Sequence, residues 1–178
     1  ALSDIINKPL SPRAAALGNS FVAAKDDPNT LFSNPAAISS IELADSTRPG
    51  TFSASYSHYV LDINEGAVVY SHPVPAGILF DGTMAVGVQY FSGGTLDETN
   101  AFGEQLGTFH SGDAALLLAY SSTASNGLHY GVGLKYVSMS LVSGSAIQNY
   151  SGSWAAADLG LYYEIPKARV TIGLSAMN

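Results

Sequence analysis

The chain has 178 residues, no Cys and a formal net charge of −7; 47% of its residues are hydrophobic and only 12% are charged. An average soluble domain is about 25% charged, so much of this surface is not built to face water. The acidic balance argues against nucleic acid, whose binders carry a basic footprint. The absence of Cys removes disulfides, Fe–S clusters, thiolate zinc sites and Cys nucleophiles, although it leaves the compartment open. No apolar run approaches the roughly 18 residues of a membrane-spanning helix. A membrane location would therefore require a closed barrel, because open sheet edges are not left in lipid. Ala1-Leu2-Ser3-Asp4 has neither the basic start nor the apolar core of a signal peptide, so in an exported protein the signal is expected to be already removed.

Residues 1–46 form a first unit with little long-range periodicity. Ser11-Pro12-Arg13 leads into the small-residue stretch Ala14 to Gly18. Asp26-Asp27-Pro28-Asn29-Thr30 reads as a turn, since Pro fixes φ and Asp and Asn bond their own backbone. Asn34 and Pro35 have the residue types of an N-cap and first helical position, with Ala36 following. This unit is expected to pack inside or beneath another structure.

Residues 47–178 change to period two. Phe52, Ala54 and Tyr56 oppose Ser53, Ser55 and Ser57. Met84, Val86, Val88 and Tyr90 oppose Thr83, Ala85, Gly87 and Gln89. Tyr130, Val132, Leu134 and Tyr136 oppose His129, Gly131, Gly133 and Lys135. Leu159, Leu161 and Tyr163 oppose Asp158, Gly160 and Tyr162, and Val170, Ile172 and Leu174 oppose Thr171, Gly173 and Ser175. With weaker strands at 66–72 and 113–120, the count is about seven strands of roughly 9–11 residues, the length that crosses a bilayer at a tilt. Tyr56, Tyr59, Tyr70, Tyr90, Phe91, Tyr120, Tyr130, Tyr136, Tyr162 and Tyr163 are expected at strand ends as interfacial girdles.

Connection lengths are expected to alternate, with long third (92–111) and fifth (141–152) connections and short fourth and sixth ones, as in barrels with one short-turned rim. Seven strands do not close a bacterial barrel, which takes an even number from eight upward. The fold class expected is therefore all-β, an antiparallel transmembrane β-barrel of which this chain is about half, with an N-terminal plug containing a short helix. A soluble β-sandwich alternates in the same way, but should carry Lys and Glu on its polar faces. Here those faces carry Gly, Ser and Ala, with Gly131, Gly133, Lys135, Asp158 and Gly160 expected to face the lumen.

The order Arg13 to Gly18, Ala23-Ala24-Lys25-Asp26-Asp27-Pro28, Asn34-Pro35-Ala36 resembles the N-terminus of the PorV/PorQ family of the type IX secretion system. That family is similar in turn to FadL-type fatty acid transporters. The resemblance continues through Tyr90 to Thr95, Gly107-Thr108-Phe109, Gly133 to Tyr136 and Asp158 to Tyr163, and is closer to the PorQ branch. Asn19 departs from it, standing where a second Gly is expected, although Asn tolerates left-handed backbone. The resemblance implies a FadL-like barrel of about fourteen strands, an even count as barrels require. It further implies a location in the outer membrane of a Gram-negative-type bacterium. The implied plug is built on Arg13, Gly18, Asp26, Asp27, Asn34, Pro35 and Ala36, and the partners are outer-membrane lipid, other secretion-system proteins and secreted cargo. Arg13 is a candidate to pair with an inward carboxylate such as Asp158.

Catalytic and metal chemistry finds little footing. His58, His72, His110 and His129 stand singly, without the spacing of a zinc site. Asp26 and Asp27 lack the Asp-x-Asp pattern and later Glu of a Ca²⁺ loop. No Gly-x-Ser-x-Gly elbow occurs, Gly131-x-Gly133 lacks a third Gly, and Asp97-Glu98 with Glu104 reads as a solvated acidic loop. Neither enzyme, cofactor nor metal is expected. The alternatives to a secretion component are a FadL-like channel for a hydrophobic small molecule and a soluble sandwich binding module. Val68, Leu117 and Trp154 are the candidates to face a lumen, and are too few by themselves to make a pocket.

Overall fold

The computed structural model describes residues 11–41, 50–74, 81–143 and 150–178. The boundary expected at 46/47, the middle of the second connection and the centre of the fifth lie outside the described residues.

Among the described residues one antiparallel sheet carries all the strands: β1 (Thr51–His58), β2 (Asn64–Val74), β3 (Gly82–Thr99), β4 (Gln105–Thr123), β5 (Leu128–Ser143), β6 (Tyr150–Ile165) and β7 (Val170–Ala176). Neighbours in sequence are neighbours in the sheet, in the order β1 to β7, and the sheet curves into a half-barrel. A single sheet is not a sandwich, so the two-sheet alternative does not describe this fold. No helix among the described residues is long and apolar enough to cross a membrane.

Four strands are longer than the expected 9–11 residues: β3 has 18, β4 has 19, and β5 and β6 have 16 each. The third connection, expected over 92–111, is mostly strand, and only residues 100–104 turn. Ser92-Gly93-Gly94-Thr95 has loop composition, yet the ladder shifts register there and continues. Main-chain hydrogen bonds hold a strand without apolar alternation, and a bulge absorbs the glycines.

The two faces differ sharply. On β5, Val132, Leu134 and Tyr136 are exposed on the convex face, while Gly131, Gly133, Lys135 and Val137 are buried on the concave one. The same division runs through β2 to β6. Val68, expected inside, lies on the convex face with its side chain 46% exposed. Tyr162 and Phe91 are the converse corrections. Both are on the concave face, where alternation from Tyr163 and Tyr90 places them. Tyr59 lies in the β1–β2 turn and donates a hydrogen bond to Glu65 Oε1 at 2.5 Å.

The concave face is covered by residues 11–41. These comprise the helix α1 (Pro12–Ala16) and two 3₁₀ turns, Pro28–Phe32 and Pro35–Ser40. Leu31 and Ile38 sink into a cluster with Val69, Ala85, Ala115, Leu117, Ala119 and Val137. Burying each of these two larger side chains contributes about 1.5–3 kcal/mol.

Candidate functional site: the covered concave face

Local chemistry shapes the covering segment first. Ser11 Oγ accepts from Ala14 N at 3.1 Å and caps α1. Gly18 and Asn19 both take positive φ, 60° and 63°, so Asn19 does adopt the left-handed backbone there. Asp26 reverses the chain at φ 56°. Asp27 then caps the next turn, its Oδ1 accepting from Asn29 N at 2.9 Å and Asn29 Nδ2 at 2.8 Å. Its Oδ2 lies 3.3 Å from Arg13 Nη1, which also donates to the Lys25 carbonyl at 3.0 Å. Both Asp27 oxygens are thus committed to the segment's own fold. Arg13 does not reach Asp158; its partner is 14 residues away in its own segment.

Asn34 is the principal link between segment and sheet. Its side chain is fully buried, its Oδ1 accepts from Ala36 N at 3.0 Å, and its Nδ2 donates to the carbonyls of Val22 (2.9 Å) and Leu161 (3.0 Å). One amide thereby caps the Pro35 turn, ties it to the preceding loop and fastens it to β6. Leaving such groups unpaired in a dry site costs about 1–3 kcal/mol each. The Pro35-Ala36 backbone then presses directly on the sheet. A Cβ at Gly131 would stand 2.6 Å from Ala36 N and Pro35 C, and one at Gly160 would strike Asn34 Oδ1. These two glycines are cross-strand partners on β5 and β6, so together they form the flat seat of the turn.

Other contacts extend across the whole width of the sheet. Asn29 Nδ2 donates to Ser53 Oγ on β1 at 2.9 Å. Ser121 Oγ on β4 is 2.8 Å from both the Ala36 carbonyl and Ser39 Oγ, and Ser39 Oγ is 2.8 Å from His129 Nδ1. Tyr162 meets His129 edge-on at 5.2 Å between ring centres. Lys25 Nζ reaches Glu164 Oε1 on β6 at 2.9 Å, and that hydrogen bond, with the carboxylate's charge, holds the Lys25 ammonium above its usual pKa. Alternation in the sequence puts Ser53, His129 and Tyr162 on the covered face, but pairs none of these residues with its partner. A further advance signal is Ser121-Ser122, where polar residues end the apolar alternation of β4.

Lys135 and Asp158 face the same side, as expected, and meet each other. Nζ is 3.0 Å from Asp158 Oδ1, with side chains 1% and 3% exposed. They sit diagonally across the β5–β6 ladder, since Asp158 pairs with Gly133 and Lys135 with Ala156. The approach is ionic without hydrogen-bond alignment at Nζ, while Asp158 Oδ1 also accepts from Asn178 N at 3.0 Å. Leu117 is buried on the concave face and Trp154 is half-buried there, packing on the central cluster with Phe32, Ile41 and Phe91. Of the three residues taken from sequence as lumen candidates, two are therefore inside.

Among the described residues no three His, Asp or Glu gather as a metal site, while Asn29, Asn34 and Ser121 spend their polar atoms on tying segment to sheet. No protein-family model, curated protein or solved structure matches this chain.

Proposed function

We propose that this chain is half the wall of an outer-membrane β-barrel, with residues 11–41 as a plug seated on its inner face, and that it acts without catalysis in protein secretion. The observation that carries the membrane reading is the inverted distribution of side chains. Val, Leu, Ile and Tyr are exposed on the convex face, from Val86 at 38% to Leu174 at 67%, while Gly, Ala and Ser are covered. Water disfavours so large an exposed apolar surface, and lipid accepts it. Tyr56 and Tyr90 lie near one edge of the band, with Tyr70, Tyr120, Tyr130 and Tyr163 toward the other, as interfacial girdles require.

The sheet edges support a larger barrel. β1 and β7 have no strand beyond them among the described residues, and in an up-and-down sheet both run in the same direction. An antiparallel closure therefore needs an odd number of further strands, which restores an even total. The secretion role rests on the resemblance to the PorV/PorQ family and on the plug that occupies the inner face. Membrane fractionation of the full-length protein, followed by gels with and without boiling, tests the barrel. A detergent-dependent outer-membrane band that shifts on boiling is expected; a soluble protein that does not shift would overturn the reading.

One observation favours a second reading, a channel for a hydrophobic small molecule. Phe32, Phe91 and Trp154 pack, half-buried, on the apolar cluster of the concave face, Trp154 opposite Val137, which gives the inner wall an apolar patch that polar-lumen porins lack. Titrating a long-chain fatty acid while following the fluorescence lost in Trp154→Phe separates the two. A saturable Trp154 response selects the channel, and a flat one leaves secretion.

A further inference from the structure

The β3–β4 hairpin rises well past the aromatic band. From Tyr90 to Asn100 it runs about 34 Å along the strand at ~3.4 Å per residue, so its tip stands clear of a bilayer whose surface lies near the girdle. Three features coincide on this arm. First, β2 stops pairing with β3 at Asn64 and Ser92, and the Gly93-Gly94 bulge follows. The β1–β2 turn lies against Gly94, and from Thr95 to Thr99 the strand forms a ladder only with β4 among the described residues, so its other main-chain edge carries no strand there. Second, Phe102 at the tip is 90% exposed, the most exposed of the large apolar side chains described. Third, the arm itself, residues 92–112, contains Asp97, Glu98 and Glu104 but no Lys or Arg.

The geometry points to the Thr95–Thr99 edge as a docking site for an extended, basic polypeptide segment of a partner protein, added as a strand and anchored on Phe102. An open edge supplies main-chain hydrogen bonds to an incoming strand, while side chains supply selectivity. The acidic sequence selects the occupant. A second copy would bring the same acidic edge and be repelled, as charged edges generally discourage self-pairing, whereas a lysine-bearing strand is attracted. Tyr90 and the girdle lie too far below for lipid to cover the tip. The inference uses the membrane reading only for that last point, and its test is independent of heat-modifiability.

The experiment uses full-length protein in detergent and a fluorescent synthetic peptide alternating lysine with valine and threonine, followed by anisotropy. Saturable binding that weakens with salt is expected. Asp97→Lys and Phe102→Ser, both at exposed positions, should each weaken it about tenfold, a factor set by a lost charge contact or aromatic anchor of ~1.4 kcal/mol. The same peptide with a central proline, or with glutamate replacing lysine, should not bind. Absence of binding, equal binding of the proline peptide, or unchanged affinity in both variants would overturn the proposal. A protein that binds the peptide yet fails to shift on boiling would sink the barrel and leave this site standing.

Discussion

The convex and concave faces of the same strands are built from opposite materials. On β5, Val132 and Leu134 point outward at 50% and 63% exposure, while Gly131, Gly133 and Lys135 point inward and are buried. A soluble sheet places its large apolar side chains inside and its small and charged ones outside. Here bulk is on the open side, and the closed side is thinned with glycine to admit a second piece of chain. The inner face answers to a specific protein shape, and the outer one has the composition that the membrane reading proposed above would require.

The largest test of that contrast is the buried ion pair of the concave face. Replacing Asp158 by Ala leaves the Lys135 ammonium buried alone and should cost about 3–5 kcal/mol, whereas replacing both by apolar residues of similar volume should be close to neutral. Urea unfolding of the two variants in detergent micelles reads the difference; equal losses would mean that the pair is wet. Next is Leu134→Arg on the convex face. In lipid a charge near the middle of the apolar band should destabilise by about 2–4 kcal/mol, whereas on a water-facing surface the change would lie within about 0.5 kcal/mol. The folded fraction on unboiled gels distinguishes these outcomes.

A smaller effect is expected at the seat of the covering segment. Gly160→Ala brings a methyl group against Asn34 Oδ1 and the Ala36 backbone, and overpacking of this kind costs about 1–3 kcal/mol. Limited proteolysis should then cut within residues 11–41 while the strands survive. Equal protection of variant and parent would mean that the turn does not sit on these glycines. The smallest effect concerns Lys25. Because Glu164 raises its pKa in the folded state, the contact's contribution is complete below the unfolded value, near 10.4, and is lost as pH rises through the folded value. Protease protection of the segment should therefore weaken only in strong alkali, and Lys25→Met should abolish that dependence.

Much of the wall was legible in advance because a strand's alternation is a property of the local chain. Successive side chains point to opposite faces whatever the partner strand, so Tyr130 to Tyr136 and Leu159 to Tyr163 declare their faces in one dimension. Where alternation is not apolar, legibility fails. Residues 92–111 have loop composition, and only pairing with the neighbouring strand makes them sheet. Val68 has no legible face in the sequence because Gly66 to Val69 is continuously small or apolar and carries no phase of its own. The pairing of β2 with β1 and β3 supplies it.

What the sequence by itself determined is therefore composition by face: sparse charge, strands with one greasy and one small-residue side, and turn chemistry at Asp27-Pro28 and Asn34-Pro35. Tertiary structure decided which charges meet. Arg13 chose Asp27 over Asp158, Lys135 took Asp158, and Lys25 found Glu164 across 139 residues. Turns and alternation depend on neighbours along the chain, whereas ion pairs and the glycine seat depend on positions that coincide only after the sheet has curved around the segment.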